Sequence, residues 1–407
     1  MYETLAVLAA FALVYSAIAG GVERTWISGP IVFIALGVLL GPVGVGLLAK
    51  EGDPELLMAL AEMTLALVLF TDAAGADLGV LRRARKLPVR LLAIGLPLTI
   101  LLGFGVGKLM FGAMTIFEIA LLATMLAPTD AALGRAVVSN EAVPRPVREG
   151  LNVESGLNDG ICVPILFLFL ALAKGQGEDE SPWRTGLVLF LEEVGIGVVV
   201  GVVLTVAAVL ILRLCKRRGW LSPTWTKVTV VAAAFACFGT AQALGGSGFI
   251  ASFAGGMLFG GLLKPHHEEL LESAEGIGDT FALLTWVLFG ALVVGQAVGD
   301  FSWSPVLYAV LSLTVIRMLP VFVCLTGLRG GPEGKLFVGW FGPRGLASIV
   351  FAVIVINANV PGADTISSVV TWTVLLSVIA HGLSANPWAK SFGARSQHAD
   401  RPEPDGG

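Results

Sequence analysis

The segment Glu154-Ser155-Gly156-Leu157-Asn158-Asp159-Gly160 places two carboxylates, an amide and a hydroxyl within seven residues of an otherwise apolar run. At helical spacing Ser155 and Asp159 are i,i+4 neighbours, as are Glu154 and Asn158, so the segment offers two adjacent polar faces. The first presents only oxygens, the donors that hard cations such as Na⁺ prefer. The second pairs Glu154 with an amide. A further carboxylate, Asp130, follows Ala127-Pro128-Thr129, where Pro128 interrupts the apolar run Ile119 to Leu126. Proline removes a backbone donor and opens a helix. Freed carbonyls and helix-end dipoles beside a carboxylate suit a small cation. The plainer alternative is that Pro128 only kinks the chain and Asp130 caps the next half-helix. Arg317, the lone basic residue of a later apolar run, is the expected partner of Glu154. That pair satisfies two buried charges and leaves Asp159 free to titrate.

The surroundings of these residues are those of a membrane protein. The 407 residues are 56% hydrophobic and 14% charged, with a mean hydropathy of +0.85; soluble chains carry about 25% charge. A water-soluble globule, a nucleic-acid binder with a basic surface and a disordered chain are all excluded on that ground. Gly (51) and Pro (20) sit inside the apolar runs, as in membrane helices that pack closely and bend. Cys162, Cys215, Cys237 and Cys324 lack paired spacing and read as small apolar residues. The four histidines, His266, His267, His381 and His398, form no ligand cluster. Ala17-Ile18-Ala19 resembles a signal-peptidase site. The stretch before it carries Glu3 and no Lys or Arg, so residues 2–20 read as a first membrane span.

A crossing helix needs roughly 20 apolar residues. Thirteen stretches qualify: 2–20, 27–49, 56–76, 88–112, 114–138, 147–173, 186–213, 225–243, 247–263, 278–298, 304–328, 334–358 and 365–385. A loop over 145–160 would leave 161–173, too short to cross. With the N-terminus outside, twenty of the 26 basic residues fall on the cytoplasmic side and four outside, and Arg317 and Arg344 lie within spans. That asymmetry is what the positive-inside rule requires. The tail after Pro387 reads as polar, mobile and cytoplasmic.

Spans 1–6 and 8–13 match in order at an offset of roughly 215–223 positions. Seven helices separate partners, so the second copy enters from the opposite side, an inverted repeat with its site at mid-membrane. The break at Pro128 then has a counterpart at Gly342-Pro343-Arg344-Gly345 in span 12. The expected fold is therefore all-α and polytopic, with two inverted six-helix repeats and discontinuous helices crossing at mid-membrane. Residues 1–387 form one transmembrane unit, and 388–407 the tail.

ESGLNDG, the broken helix with Thr129-Asp130 and the later FGPRGLAS resemble the monovalent cation/proton antiporters of the CPA1 branch, the NhaP and Na⁺/H⁺ exchanger type. GGSGFIASFAGGMLFG at 245–260 resembles that family's ninth span. The resemblance covers essentially all spans. It implies the thirteen-helix fold, a homodimer, and a core (near 56–173 and 278–385) moving against a dimer scaffold (near 1–49 and 186–263). It implies that Asp159 carries cation and proton, with Thr129, Asp130 and Ser155 nearby as ligands of the monovalent cation. It further implies that Glu154, Asn158 and Arg317 form a buried polar cluster, and that Arg344 belongs to the second break with Pro343. Asp72 of LFTDAAGADL stands where related sequences often carry a glutamate near the ion. Many relatives have a proline just after the Thr-Asp pair; this chain has Pro128 before it.

The resulting expectation is exchange of one cation (Na⁺ first, K⁺ or Li⁺ as options) for one proton by alternating access, with no cofactor and no nucleic-acid partner. An empty aspartate would carry an unpaired charge through low dielectric, so the carboxylate crosses only when occupied. Asparagine at 158 removes one proton carrier and favours electroneutrality. A cation channel and a membrane enzyme are the rival readings. A channel needs a continuous pore, and the sequence carries neither a zinc-ligand pattern such as H-E-x-x-H nor a phosphate-binding glycine loop that would point to an enzyme. Ser155 has no histidine nearby in sequence to serve as a base. Arg82 to Arg90 reads as a topology anchor, His266-His267-Glu268-Glu269 and Glu178-Asp179-Glu180 as solvated loops, and Glu192 with Glu193 as near the dimer face or the interface. The short tail, with no nucleotide-binding domain, points to a bacterial or archaeal plasma membrane, with membrane lipid as a partner.

Overall fold

A computed structural model describes residues 2–22, 25, 27–48, 54–76, 86–130, 132–174, 182–263, 268–328 and 331–399. Arg24, Lys50, Arg82, Arg83, Arg85, Lys264, Arg329, Arg401, His266-His267 and Glu178-Asp179-Glu180 lie outside the described residues. The described residues contain helices and no strand. In order they are α1 (Tyr2–Val22), α2 (Gly29–Leu40), α3 (Pro54–Gly75), α4 (Lys86–Met110), α5 (Ile116–Met125), α6 (Arg145–Lys174), α7 (Pro182–Arg217), α8 (Thr229–Ala243), α9 (Gly248–Leu263), α10 (Glu268–Phe289, continuing through a π turn to Gly299), α11 (Trp303–Cys324), α12 (Gly331–Trp340), α13 (Leu346–Asn357) and α14 (Ala363–Ala399).

Eight helical stretches are long and apolar enough to cross a membrane. They fall on the third, fourth, sixth, seventh, eighth, tenth, eleventh and thirteenth expected spans. The other five expected spans hold apolar helices of 10–17 residues among the described residues, and three of the shortenings have a local cause. α2 stops at Leu40 because Gly41, extended at φ −74° and ψ −175°, takes the conformation that a following proline imposes. The fifth span is helical to Met125 and again over Arg135–Val138, and the twelfth divides into α12 and α13. Both interruptions contain the expected prolines, Pro128 and Pro343.

Repeat partners touch. Thr64 on α3 and Thr285 on α10, 221 positions apart, hydrogen bond through their hydroxyls at 3.1 Å. Small residues let backbones approach, as in membrane helix pairs generally. Gly256 and Gly260, four apart on α9, lie against the carbonyl oxygens of Phe70 and Ala74 on α3. Gly37 on α2 packs in the same way on Val287 of α10. The four cysteines are free.

The last helix corrects the expectation of a mobile tail after Pro387. α14 runs through Pro387 to Ala399. Ala389 and Phe392 are buried, and the Phe392 ring stacks on Phe337 of α12 at 4.2 Å. Trp388, Ala389 and Phe392 share one face, and burying that stripe outweighs the single donor that proline removes.

The α3–α9 contact yields a stability test. A methyl at Gly256 runs into the Phe70 backbone, whereas one at Gly261 meets nothing within 4 Å. Gly256→Ala is expected to destabilise by about 1–3 kcal/mol, the usual range for overpacking. Gly261→Ala is not. Thermal melting of the purified variants in detergent compares the two.

Candidate functional site at the crossing of two broken helices

Two helix breaks inside an apolar bundle leave backbone donors and acceptors unmet, each costly in hydrocarbon. Here the breaks serve one another. The Asp130 backbone N–H donates to the Pro343 carbonyl at 2.8 Å. The Ser348 hydroxyl of α13 donates to the Met125 carbonyl at the end of α5, also at 2.8 Å.

The Asp130 carboxylate is divided between two amides. Its Oδ2 accepts from Leu346 N, the first residue of α13, at 2.8 Å. Its Oδ1 accepts from Leu133 N at 3.0 Å. A negative charge at a helix N-terminus is favourable, so Asp130 caps α13 across the crossing as well as its own segment. Gly345 is required beside it, since any Cβ there would collide with the carboxylate. Arg344 has the opposite relation to α12. Its guanidinium Nη1 donates to Gly342 O at 2.9 Å, near that helix's C-terminal end, where positive charge is favoured.

α6 passes behind the crossing with Glu154, Ser155, Asn158 and Asp159 all buried. The structure brings Glu154 and Arg317 of α11 together as a bidentate ion pair at 2.6 and 2.9 Å. Both side chains are almost fully buried, where losing one partner leaves an uncompensated charge. Asn158 turns away from Glu154. Its Nδ2 donates to Thr129 Oγ1 at 2.7 Å, and Thr129 Oγ1 hydrogen bonds Ser155 Oγ at 2.9 Å. Thr129 therefore joins the two faces of α6 that the spacing defined.

Asp159 lies one turn beyond Ser155 and feels the charges of Asp130, Asp72 and Arg344. Asp72 approaches because Gly156 lets α6 close on it, with the site of a Cβ 3.3 Å from the Asp72 carbonyl. Asp72 also feels Glu275, Asp279 and Arg135, and Arg135 pairs with Asp279 at 3.2 Å on the exposed side. Among the described residues no three His, Cys, Asp or Glu side chains converge as a ligand set. Apart from the carboxylates of Asp130 and Glu154, which are engaged by amides and by Arg317, the side-chain oxygens near the crossing include the Asp159 carboxylate and the Ser155 and Thr129 hydroxyls. That donor set fits a monovalent ion better than a divalent one.

Of the carboxylates at the crossing, Glu154 has both oxygens on Arg317 and Asp130 has both on amides. Asp159 Oδ1 is buried with no hydrogen-bond partner, as is Asn158 Oδ1. An apolar cavity of about 570 Å³, lined by residues including Gly160, Pro164, Val198 and Phe253, begins one residue from Asp159, where α6, α7 and α9 meet.

Sequence reasoning overlooked Ser348, Ser377 and His381. Ser377 Oγ accepts from Arg344 N at 2.7 Å, and His381 Nε2 lies 2.8 Å from the Trp340 carbonyl. The available signal was a serine and a histidine four residues apart inside an apolar span.

Comparison with known proteins follows this geometry. The family model described as "Sodium/hydrogen exchanger, transmembrane" matches residues 7–391. The K⁺/H⁺ antiporter NhaP of Alkalimonas amylolytica is 25% identical over 363 residues, 88% of this chain and 62% of the relative. The Na⁺/H⁺ antiporter of Schizosaccharomyces pombe is 24% identical over 298 residues, 65% of this chain and 62% of the relative. The chain thus spans about 62% of the length of these curated relatives. Among solved structures, the sodium proton antiporter MjNhaP1 from Methanocaldococcus jannaschii superimposes with a TM-score of 0.78 at 20% identity, covering 97% of this chain and 98% of that one.

The buried pair supplies a double-variant test. Arg317→Ala is expected to destabilise by about 3–5 kcal/mol, because Glu154 stays buried without its partner. Adding Glu154→Leu to Arg317→Ala is expected to recover part of that loss. A thermal or denaturant series over both single variants and the double gives the coupling.

Proposed function

The chain belongs to the sodium/hydrogen exchanger transmembrane family, and from that premise we propose that it exchanges a monovalent cation, Na⁺ or K⁺, for H⁺ by alternating access. The observation that carries the reading is the partnering of the central carboxylates. Of Asp130, Glu154 and Asp159, only Asp159 keeps a buried carboxylate oxygen with no hydrogen-bond partner. It is therefore the group that can take either a proton or a cation.

Ser155 and Thr129 supply neutral oxygens beside Asp159, and Asp130 holds the frame through its two amides. Asp72 lies toward Glu275 and Asp279 and is the residue that hands the cation on. A proton or a cation on Asp159 makes the site neutral. Empty, it carries a charge that low dielectric penalises, so the core crosses only when occupied, and coupling follows. The Glu154–Arg317 pair adds no net charge, and Asn158 adds no proton, which favours one-for-one, electroneutral exchange.

Motion of a core (near 56–173 and 278–385) against a scaffold (near 1–49 and 186–263) fits the apolar cavity between α6 and the α7–α9 pair, since a sliding interface needs slack and few polar anchors. The reading places the protein as a homodimer in the plasma membrane, with its N-terminus outside. A channel is disfavoured because the two breaks close on one another by hydrogen bonds instead of lining an open path. Named relatives are transporters, which argues against an enzyme.

The test is reconstitution into vesicles under an imposed pH gradient, with Na⁺, K⁺ and Li⁺ added in turn. Wild type is expected to dissipate the gradient with one or more of them, and Asp159→Asn to reduce the rate at least 100-fold while remaining folded. Ser155→Ala and Thr129→Ala are expected to raise the half-saturating cation concentration about tenfold. Exchange at the parental rate by Asp159→Asn would remove the basis of the proposal, and transport driven by voltage alone would rule out electroneutrality.

A further inference from the structure

The interruption between α12 and α13 is held from two sides. Asp130 serves the α13 end. The opposite side faces α14, which contributes Ser377 and His381, one helical turn apart and both buried. Ser377 Oγ accepts the Arg344 backbone N–H at 2.7 Å. His381 Nε2 sits 2.8 Å from the Trp340 carbonyl, and Nδ1 sits 3.2 Å from Ser377 Oγ and 2.9 Å from the Ser377 carbonyl. The Trp340 indole N–H donates to Ser384 Oγ at 2.9 Å, tying the same residue to α14 a second time.

Donor and acceptor types restrict how these groups bond. A carbonyl only accepts, so at 2.8 Å from Trp340 O the Nε2 atom carries hydrogen. In the neutral ring Nδ1 is then an acceptor, and the Ser377 hydroxyl donates to it while accepting from Arg344 N. In the doubly protonated ring Nδ1 donates to the Ser377 carbonyl instead. The Nε2 bond to Trp340 is kept in both forms.

We infer that His381, with Ser377, is a positioning residue for exchange: it bridges residues 340 and 344 across the second break and thereby holds the Arg344 backbone and the α13 N-terminus where Asp130 meets them. Without the ring, the Trp340 carbonyl keeps only the Gly342 N–H at 2.8 Å and loses its tie to α14, the Ser377 hydroxyl that receives the Arg344 amide loses its contact with Nδ1, and the loop that aligns Gly345 and Leu346 with Asp130 loosens. His381 touches neither the cation nor Asp159 and acts only through the break.

The transport readout of this inference rests on the exchange reading above; the amide readout does not. Glutamine reaches about as far as Nε2 of histidine and carries an N–H donor, but it does not titrate. His381→Gln is therefore expected to exchange within about threefold of wild type, with an unshifted pH profile. His381→Ala is expected to lose at least tenfold in rate. Hydrogen–deuterium exchange of peptides covering Arg344 and Leu346 is expected to speed at least tenfold in the Ala variant and to return toward wild type with Gln.

Four results would overturn the inference: full transport by His381→Ala, unchanged amide protection in that variant, a Gln variant as impaired as Ala, or a pH profile displaced by Gln. If His381→Ala cannot be purified, His381→Asn replaces it, since Asn reaches Ser377 but not Trp340. Asn performing as well as Gln would then count against the bridge. If wild type itself moves no cation, the exchange reading fails while the amide measurements still decide whether the bridge exists.

Discussion

A helix broken within hydrocarbon has to find hydrogen-bond partners for the backbone groups it releases, and Asp130, Arg344, Ser348 and Ser377 answer to that constraint. α5 ends at Met125, whose carbonyl is met by Ser348 of the opposite repeat. α13 begins at Leu346, whose amide is met by Asp130. The loop between α12 and α13 is met at Pro343 by Asp130 N, at Gly342 by Arg344, and at Arg344 N by Ser377. The same device recurs elsewhere. Glu118 accepts from Thr115 N at 2.7 Å and from Gly362 N at 2.8 Å, so one carboxylate joins the start of α5 to the approach to α14. Each acid is placed where amides converge, which lowers the cost of burying its charge.

Partnering of this kind also sorts the acids by availability. Four acidic residues and two arginines lie in or beside the crossing: Asp72, Asp130, Glu154, Asp159, Arg317 and Arg344. Glu154 is neutralised by Arg317 and Asp130 by helix ends. Asp72 is half-buried and feels the charges of Asp130 and of the exposed Glu275 and Asp279. Arg344 lends positive charge to the surroundings of Asp159 without bonding to it. Among the acids Asp130, Glu154 and Asp159, Asp159 is the one left with an unpartnered buried oxygen, beside an Arg344 whose Nε and Nη2 are also unpartnered.

Much of this was legible in the sequence, for identifiable reasons. Apolar length located the spans, proline located both breaks, and a lone arginine in an apolar run had Glu154 as its natural counterpart. The i,i+4 spacing defined the two faces of α6. What the sequence did not show was allocation. Nothing in Thr129-Asp130 distinguishes a carboxylate that binds an ion from one that caps a helix 216 residues away, and the plainer alternative, a cap, describes its contacts. Ser377 and His381 went unread because their partners are backbone groups of another helix, invisible to residue-type patterns. Pro387 misled in the same direction, because the stripe of Trp388, Ala389 and Phe392 has meaning only against Phe337 of α12.

That last contact has a mechanical consequence. α12, α13 and α14 are joined by the Phe337–Phe392 stack, the Trp340 bonds to Ser384 and His381, and the Arg344 bond to Ser377. α13 is joined in turn to α5 through Asp130 and Ser348, and α5 to α6 through the Thr129–Ser155–Asn158 bonds. A series of contacts therefore runs from α14 to Ser155 and Asn158 on α6, the helix that carries Asp159. On the far side of α6 the contacts change character: Gly160 lies against the Phe253 ring of α9, and beyond it is an apolar cavity. Directional bonds resist sliding and apolar contacts tolerate it, so any displacement of Asp159 relative to α7 and α9 will carry α5, α6 and α12–α14 together. In the proposed exchange, the moving body would end where these hydrogen bonds stop.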